Sequence, residues 1–189
     1  GTRPVVRVGT GGGTIDTSVM VNCAGLYCDK VAAHAIPDLD VRIIPFRGEY
    51  HTLKEGRRGL VRNLVYPVPD PEFPFLGVHF TVTAAGGVKV GPTAIPVLSR
   101  EAYAFNLRRD EAREVLTHFP TFLRGGHHDV PALLRSELPK YSRRWLEHQA
   151  RALVPSATGF TIKGAPGIRA QLMHKATGKL EMDFLVRGD

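Results

Sequence analysis

The chain has 189 residues, enough for one domain or a domain and a small part and for a real core, so repeat arrays and mini-proteins are excluded. Hydrophobic residues at 43%, charged residues at 23% and a mean hydropathy of -0.10 are those of a globular chain, and no apolar run approaches the roughly 18 residues of a spanning helix, which excludes disorder and membrane embedding as starting points. Lys and Arg number 25 against 18 Asp and Glu, a formal charge of +7 that favours an anionic partner such as nucleic acid, a phospholipid surface or a small carboxylate.

The opening GTRPVVRV carries neither a basic n-region nor an apolar h-region, so a signal or transit peptide is not expected, and the chain reads as a piece of something longer. Residues 5 to 8 and 15 to 21 are β-rich, and the glycines between them supply positive φ angles, which predicts a hairpin. Gly9, Gly11 and Thr14 match two of the three glycines of GxGxxG, but β-branched text follows Gly13 where a dinucleotide fingerprint needs a helix. In VMVNCAGLYCDKVAAHA an apolar strand is expected to run into a small-residue turn at Ala24-Gly25 and then a helix. Cys23 and Cys28 have neither zinc-ligand nor redox-motif spacing and are read as reduced packing residues.

From Val41 to Val97 the text is strand-like, in VRIIPF, GEYHTL, LVRNLVYPVP, FPFLGVHFTVT and GGVKVGP. Pro67, Pro69, Pro71 and Pro74 punctuate bent or edge segments of an antiparallel or mixed sheet, and 84–87 is a turn between two strands. The period then changes: helices are expected from Leu107 to Phe119 and from about Pro139 to Val154. Strands are expected again at Gly159 to Lys163 and Lys179 to Val186. The layout predicts an α+β fold with an α/β remnant, one domain inserted in another whose two halves lie at the ends.

The basic pairs Arg57-Arg58, Arg108-Arg109 and Arg143-Arg144 lie far apart with acids nearby at Glu55, Asp110 and Glu147, which favours solvated faces over a nucleic-acid patch. His127-His128-Asp129 lacks the spacing of a metal site and reads as a loop. His79, within the apolar FLGVHFT, is costly to bury unless hydrogen-bonded or employed, and both readings stand. Arg47 in IPFRGEY and Arg169 in GAPGIRAQ are guanidinium groups among glycine and apolar residues, suited to a bidentate grip on a carboxylate or phosphate or else to a structural ion pair. No GxSxG, P-loop or acidic metal cluster appears, so hydrolase and kinase readings have no foothold.

Five segments together, VNCAGLYCDKVA, IIPFRGEYHTL, LVYPVPDPEFPFLGVHFT, VKVGPTAIPVLSREAY and GAPGIRAQLMHKATGKLEMDFLV, resemble the L-2-hydroxyglutarate oxidase and dehydrogenase family of D-amino-acid-oxidase-like flavoproteins. The resemblance is strongest over 19 to 103 and 164 to 186. It implies an FAD enzyme that oxidises L-2-hydroxyglutarate to 2-oxoglutarate, with oxygen or a quinone as electron acceptor. It further implies a cytoplasmic location in which peripheral contact with the inner membrane stays open, and a small dicarboxylate rather than nucleic acid as partner. An FAD-dependent amine or amino-acid oxidase and a non-catalytic basic binding module remain as alternatives.

Carried over residue by residue, the resemblance sets Asn22, Ala24, Gly25, Leu26, Gly167 and Ile168 beside the FAD. It sets Arg169 near the substrate carboxylate and matches Tyr66 and His79 to the family's substrate-domain strands; Arg47 and Gln171 are expected on the substrate with them, and His79 is nominated as the catalytic base because an imidazole, with a pKa of about 6.5, can accept a proton at neutral pH. It divides the chain into an FAD-domain remnant at 1–35, a substrate-binding domain of mixed or antiparallel sheet with helices at 36–160, and return strands of the Rossmann-like FAD domain at 161–189. The family's GxGxxG unit does not appear in this sequence, so weak or absent FAD binding by this chain alone is expected, along with exposed apolar surface where such a unit would dock.

Overall fold

The computed structural model describes residues 5–69, 75–104, 108–125, 135–157 and 161–187. It divides into two compact units, Gly1–Leu39 and Asp40–Asp189.

In the first unit, β1 (Val6–Thr10) and β2 (Gly13–Thr17) form the expected antiparallel hairpin, with Val8 opposite Ile15 and Arg7 opposite Asp16. Gly13, at φ 128°, takes a conformation that a side chain would resist. The Arg7 guanidinium donates to both Asp16 oxygens at 2.7 and 2.9 Å across the exposed face. The strand expected over Val19 to Asn22 does not form: residues 18–24 have no regular structure, and Val19 and Val21 are 70% and 79% exposed. β-propensity makes a strand only where a neighbour completes the ladder, and among the described residues none pairs with this one. The helix after the turn does form, as one 3₁₀ turn at Gly25–Tyr27 leading into α1 (Cys28–Ala32). Cys28 is half-buried, but Cys23 is exposed, against the packing role expected for it. Val5, Val6, Ile15 and Met20 are exposed too.

The spine of the second unit is β3 (Val41–Gly48), buried at six of eight positions, because an apolar run such as VRIIPFRG suits a strand covered on both faces. It pairs antiparallel with β9 (Gly167–His174) along its whole length, from Val41 opposite His174 to Gly48 opposite Gly167, and on its other edge with β7 (Ile95–Pro96). A second antiparallel sheet has the order β5-β6-β4-β8, made from β5 (His79–Val82), β6 (Val88–Gly91), β4 (His51–Leu53) and β8 (Thr161–Lys163). The expected turn over 84–87 joins β5 to β6, with Gly86 at φ 75°. Strands β8 and β9, from the 161–189 stretch, are thus hydrogen-bonded to β4 and β3 of the central stretch.

Two helices cover these sheets. Ala112, Val115 and Phe122 fall on one side of α2 (Arg109–Gly125), and Phe122 joins Ile44, Phe46, Met173 and Leu180 in one core. The buried face of α3 (Arg143–Leu153) places Leu146 and Ala150 against Leu53, Phe80, Val88 and Val90 in the other. Buried charge ties α2 down: Ser99 Oγ donates to Glu111 at 2.5 Å, and Arg100, 2% exposed, pairs with Glu114 at 2.9 Å. Ile44 is fully buried, so Ile44→Val should lower stability by about 0.5–1.5 kcal/mol in urea unfolding, with an unchanged m-value.

Three expected boundaries are corrected. Helix α2 runs past Phe119 through Pro120, because the bond forfeited there is to the carbonyl of Leu116, on an exposed turn where water replaces the lost N–H. In LVRNLVYPVP the described residues form a single bridge, Val65 to Phe80, after 3₁₀ structure at Glu55–Leu60; Pro67 and Pro69 cannot donate to a longer ladder. The tail strand lies at Gly167–His174 rather than after Lys179, where Leu180 makes one bridge to Met173. His127, His128, Asp129, Pro71 and Pro74 fall outside the described residues. Among those described, no helix is long and apolar enough to cross a membrane.

Candidate active site

A cavity of about 270 Å³ opens where β3 and β9 end. Its apolar walls are Phe46, Phe75, Leu76, Pro92 and Ile168; its polar and charged lining is Tyr50, His79, Thr93 and Arg169, with the backbones of Gly48 and Gly167 at the strand ends. Ligand sites for drug-sized molecules run from about 300 to 1,000 Å³. This one is the size of a small acid rather than a dinucleotide.

Arg169 is the cation of this lining. It stands directly across the ladder from Phe46, and in an antiparallel pair opposite residues share a face, so its guanidinium lies over Phe75, 5.0 Å from the ring centroid, while Phe75 packs on Phe46 at 4.8 Å. The residue is exposed on its open side, yet the apolar surroundings pull its pKa below the ordinary arginine value, with Tyr50 acting the other way. Arginine keeps its charge through such a shift. A guanidinium on an apolar shelf has few competitors for an incoming carboxylate.

His79 begins β5 and is 9% exposed. The Val65–Phe80 bridge places Tyr66 opposite it, and the two rings stack at 4.3 Å with 26° between their planes. Nδ1 lies 2.9 Å from the Gly77 carbonyl, which can only accept, so this nitrogen carries the proton and the neutral ring keeps its lone pair on Nε2. Burial lowers the pKa, against a weaker upward pull from that hydrogen bond, so His79 is neutral at pH 7. A neutral imidazole with a free-electron-pair nitrogen in a lined cavity can take a proton.

The other arginine goes elsewhere. Arg47 stands opposite Ile168, one step from the Phe46–Arg169 pair, and alternation turns it to the other face of the sheet. There its Nε donates to Glu49 at 2.8 Å and Nη1 to the Ala102 carbonyl at 2.6 Å: of the two readings the sequence allowed, the structure has the ion pair. Arg47→Lys should therefore cost about 1–2 kcal/mol in unfolding experiments, since lysine cannot serve both partners, and leave KM within about twofold. Gln171 is 3% exposed and donates through Nε2 to the Glu181 carbonyl at 2.5 Å, away from the cavity lining. Tyr66 supports His79 without lining the cavity, its hydroxyl 3.4 Å from Thr81 Oγ1.

Of the residues expected beside FAD, Gly167 and Ile168 line the cavity. Asn22, Ala24, Gly25 and Leu26 belong to the first unit. Asn22 shapes its turn, accepting from the Ala24 N–H at 3.2 Å and donating to the Cys28 carbonyl at 2.7 Å; Gly25, at φ 54°, leaves its Cβ side open. Sequence reading missed Tyr50 and Thr93. Thr93 Oγ1 accepts the Glu49 N–H at 2.9 Å, and the next N–H, of Ala94, donates to Glu137 at 2.6 Å, a carboxylate itself paired with Lys140. That the wall at 92–94 rests on buried polar groups is invisible in the text VGPTAIP.

The basic pairs are exposed and sit beside the acids expected, Arg58 3.6 Å from Glu55, Arg108 3.2 Å from Asp110 and Arg143 3.8 Å from Glu147.

The cavity joins one guanidinium, one neutral imidazole and two hydroxyls over an antiparallel sheet, and a family model described as FAD dependent oxidoreductase matches residues 2–183: the chain belongs to that family. It is 40% identical over 183 residues to the L-2-hydroxyglutarate dehydrogenase of Indibacter alkaliphilus, covering 95% of this chain and 45% of the relative. It is also 38% identical to the mitochondrial L-2-hydroxyglutarate dehydrogenase of Caenorhabditis elegans and 32% to that of Homo sapiens, over 90% and 96% of this chain and 39% of each relative. The chain thus spans about two-fifths of the length of these relatives. Among solved structures, glycine oxidase from Bacillus cereus ATCC 14579 is similar with a TM-score of 0.45 and 12% identity, over 92% of this chain and 39% of that one.

The fit to FAD is partial. A pyrophosphate is held by a glycine-rich turn that opens a helix. Here Gly9 and Gly13 belong to a hairpin, and Gly25 opens one 3₁₀ turn before a five-residue helix, so the described residues offer no such cradle.

Proposed function

We propose that this chain serves the FAD-dependent oxidation of L-2-hydroxyglutarate to 2-oxoglutarate. The observation that carries the reading is the meeting of Arg169 and a neutral His79 in one small cavity, a carboxylate clamp beside a proton acceptor. The names of the relatives support the substrate. In this reading 36–160 supplies the substrate domain, 161–189 leads from its sheet back into the FAD domain, and 1–35 belongs to that domain. Asn22, Ala24, Gly25, Leu26, Gly167 and Ile168 face the cofactor.

Bound FAD would supply the acceptor for the C2 hydride and its two electrons. The chain does the rest. Arg169 holds a carboxylate by paired hydrogen bonds and so orients C2; Tyr66 stacks on His79 and fixes its plane; His79 Nε2 takes the hydroxyl proton as the C–H bond breaks, leaving the ketone. Phe46, Phe75, Leu76 and Ile168 exclude water from the reacting carbon.

The test is the full-length protein with FAD and a panel of substrates. Reduction of the flavin by L-2-hydroxyglutarate with formation of 2-oxoglutarate is the expected result. Reduction by an amine or amino acid alone would make the protein an amine oxidase, and failure to take up flavin together with salt-sensitive retention on nucleic acid would make it a binding module. Reoxidation under oxygen and under a quinone then identifies the electron acceptor.

A further inference from the structure

Tyr50 lies between β3 and β4, half-buried, and lines the cavity beside Arg169. Three glycines seat its ring. A Cβ at Gly48 or Gly167, the final pair of the β3–β9 ladder, would lie 3.6 or 3.5 Å from Tyr50 Cε2. At Gly91, with φ 142°, a Cβ would lie 3.3 Å from Cδ1 and 2.8 Å from the Glu49 carbonyl oxygen, so no side chain fits there. Cε2 and Cδ1 are diagonal atoms of the ring, so the three glycines lie along its opposite edges. Lys89 Nζ, 5.4 Å from the centroid, completes the setting.

We propose that Tyr50 is a substrate-positioning residue, its phenol donating a hydrogen bond to a carboxylate of the 2-hydroxy dicarboxylate. The inference rests on the substrate reading given above. A dicarboxylate brings two negative charges into a cavity whose described lining carries one cation, Arg169, so a neutral donor there has a second carboxylate contact to make. Thr93 Oγ1 accepts the Glu49 N–H and its hydroxyl is also hydrogen-bonded with Tyr141, which leaves Tyr50 as the phenolic donor among the described lining residues. Burial raises the Tyr50 pKa above its ordinary value of 10.0, with Arg169 pulling the other way, so the phenol keeps its proton at neutral pH and donates.

Tyr50→Phe removes the hydroxyl and keeps the ring in its seat. In the full-length holoenzyme, KM for L-2-hydroxyglutarate and the Kd of 2-oxoglutarate, read from the flavin spectrum, should both rise about tenfold or more, while kcat falls less than about threefold and Tm and FAD content hold. Wild-type KM and Kd in a variant of an enzyme that turns over L-2-hydroxyglutarate would overturn the role of Tyr50 and leave the substrate reading intact. A loss confined to kcat would also overturn it. A wild-type enzyme that neither oxidises L-2-hydroxyglutarate nor binds 2-oxoglutarate would instead remove the substrate reading, and this inference with it.

Discussion

Arg169→Lys in the full-length enzyme should lower kcat/KM for L-2-hydroxyglutarate by roughly 30-fold or more, at unchanged FAD content. The magnitude follows from where the guanidinium sits. An ion pair exposed to water is worth about 0–1 kcal/mol, and Arg169 has an open, exposed side. In the proposed reading a substrate carboxylate closes that side, leaving the guanidinium between it and the Phe75 ring, where losing a charge-assisted, two-point contact costs on the order of 2–4 kcal/mol. Lysine retains the charge but not the fork, and its ammonium does not lie flat on Phe75. A loss below about fivefold would mean that the carboxylate meets Arg169 in water. Loss of flavin would move the residue from the substrate to the cofactor. Steady-state kinetics and the flavin-to-protein absorbance ratio read the two quantities separately.

Arg169 also shows how far the sequence reaches. Its glycine and apolar neighbours marked it and Arg47 alike, because composition around a residue is local while the face it occupies is set by register. Arg169 pairs with Phe46 and Arg47 with Ile168, so one step along the same ladder sends the first guanidinium to the cavity and the second to Glu49 and Ala102 on the far side. Elements whose signal is local were legible: the glycines between two β-rich runs gave the β1–β2 hairpin, the apolar run at 41–48 gave β3, and the helical period after Leu107 gave α2 and α3. Elements that need a distant partner were legible only in part: β8 forms against β4 where a strand was expected, but others differ. Val19 to Asn22 has strand composition and no ladder, whereas Gly167–His174 forms the longest ladder of the fold because β3 lies beside it. Tyr50 escaped notice for the same reason, since Gly48, Gly91 and Gly167 surround its ring only after three strands have come together.

His79→Gln should lower kcat by about 10²-fold or more, with a loss that persists from about pH 6 to 9. Glutamine fills much of the space and still offers polar atoms near Gly77, but its amide cannot take up the proton that leaves the substrate hydroxyl. The wild-type profile carries the complementary sign. Burial holds the His79 pKa below its ordinary value of 6.5, so the neutral, proton-accepting form persists through neutral pH and kcat/KM falls only as pH drops through that lowered pKa. The acid limb of the profile should therefore lie below pH 6.5 and be absent from the residual activity of the variant. Stability moves in the same sense: the unfolded chain binds the proton more readily than the fold does, so the contribution of neutral His79 is complete above the unfolded value and is lost as pH falls toward the folded one. A variant with full activity and only a lowered Tm would assign the ring a packing role, stacked on Tyr66 and bonded to Gly77. If instead kcat falls with the acid limb erased, the proton leaves the substrate through Nε2.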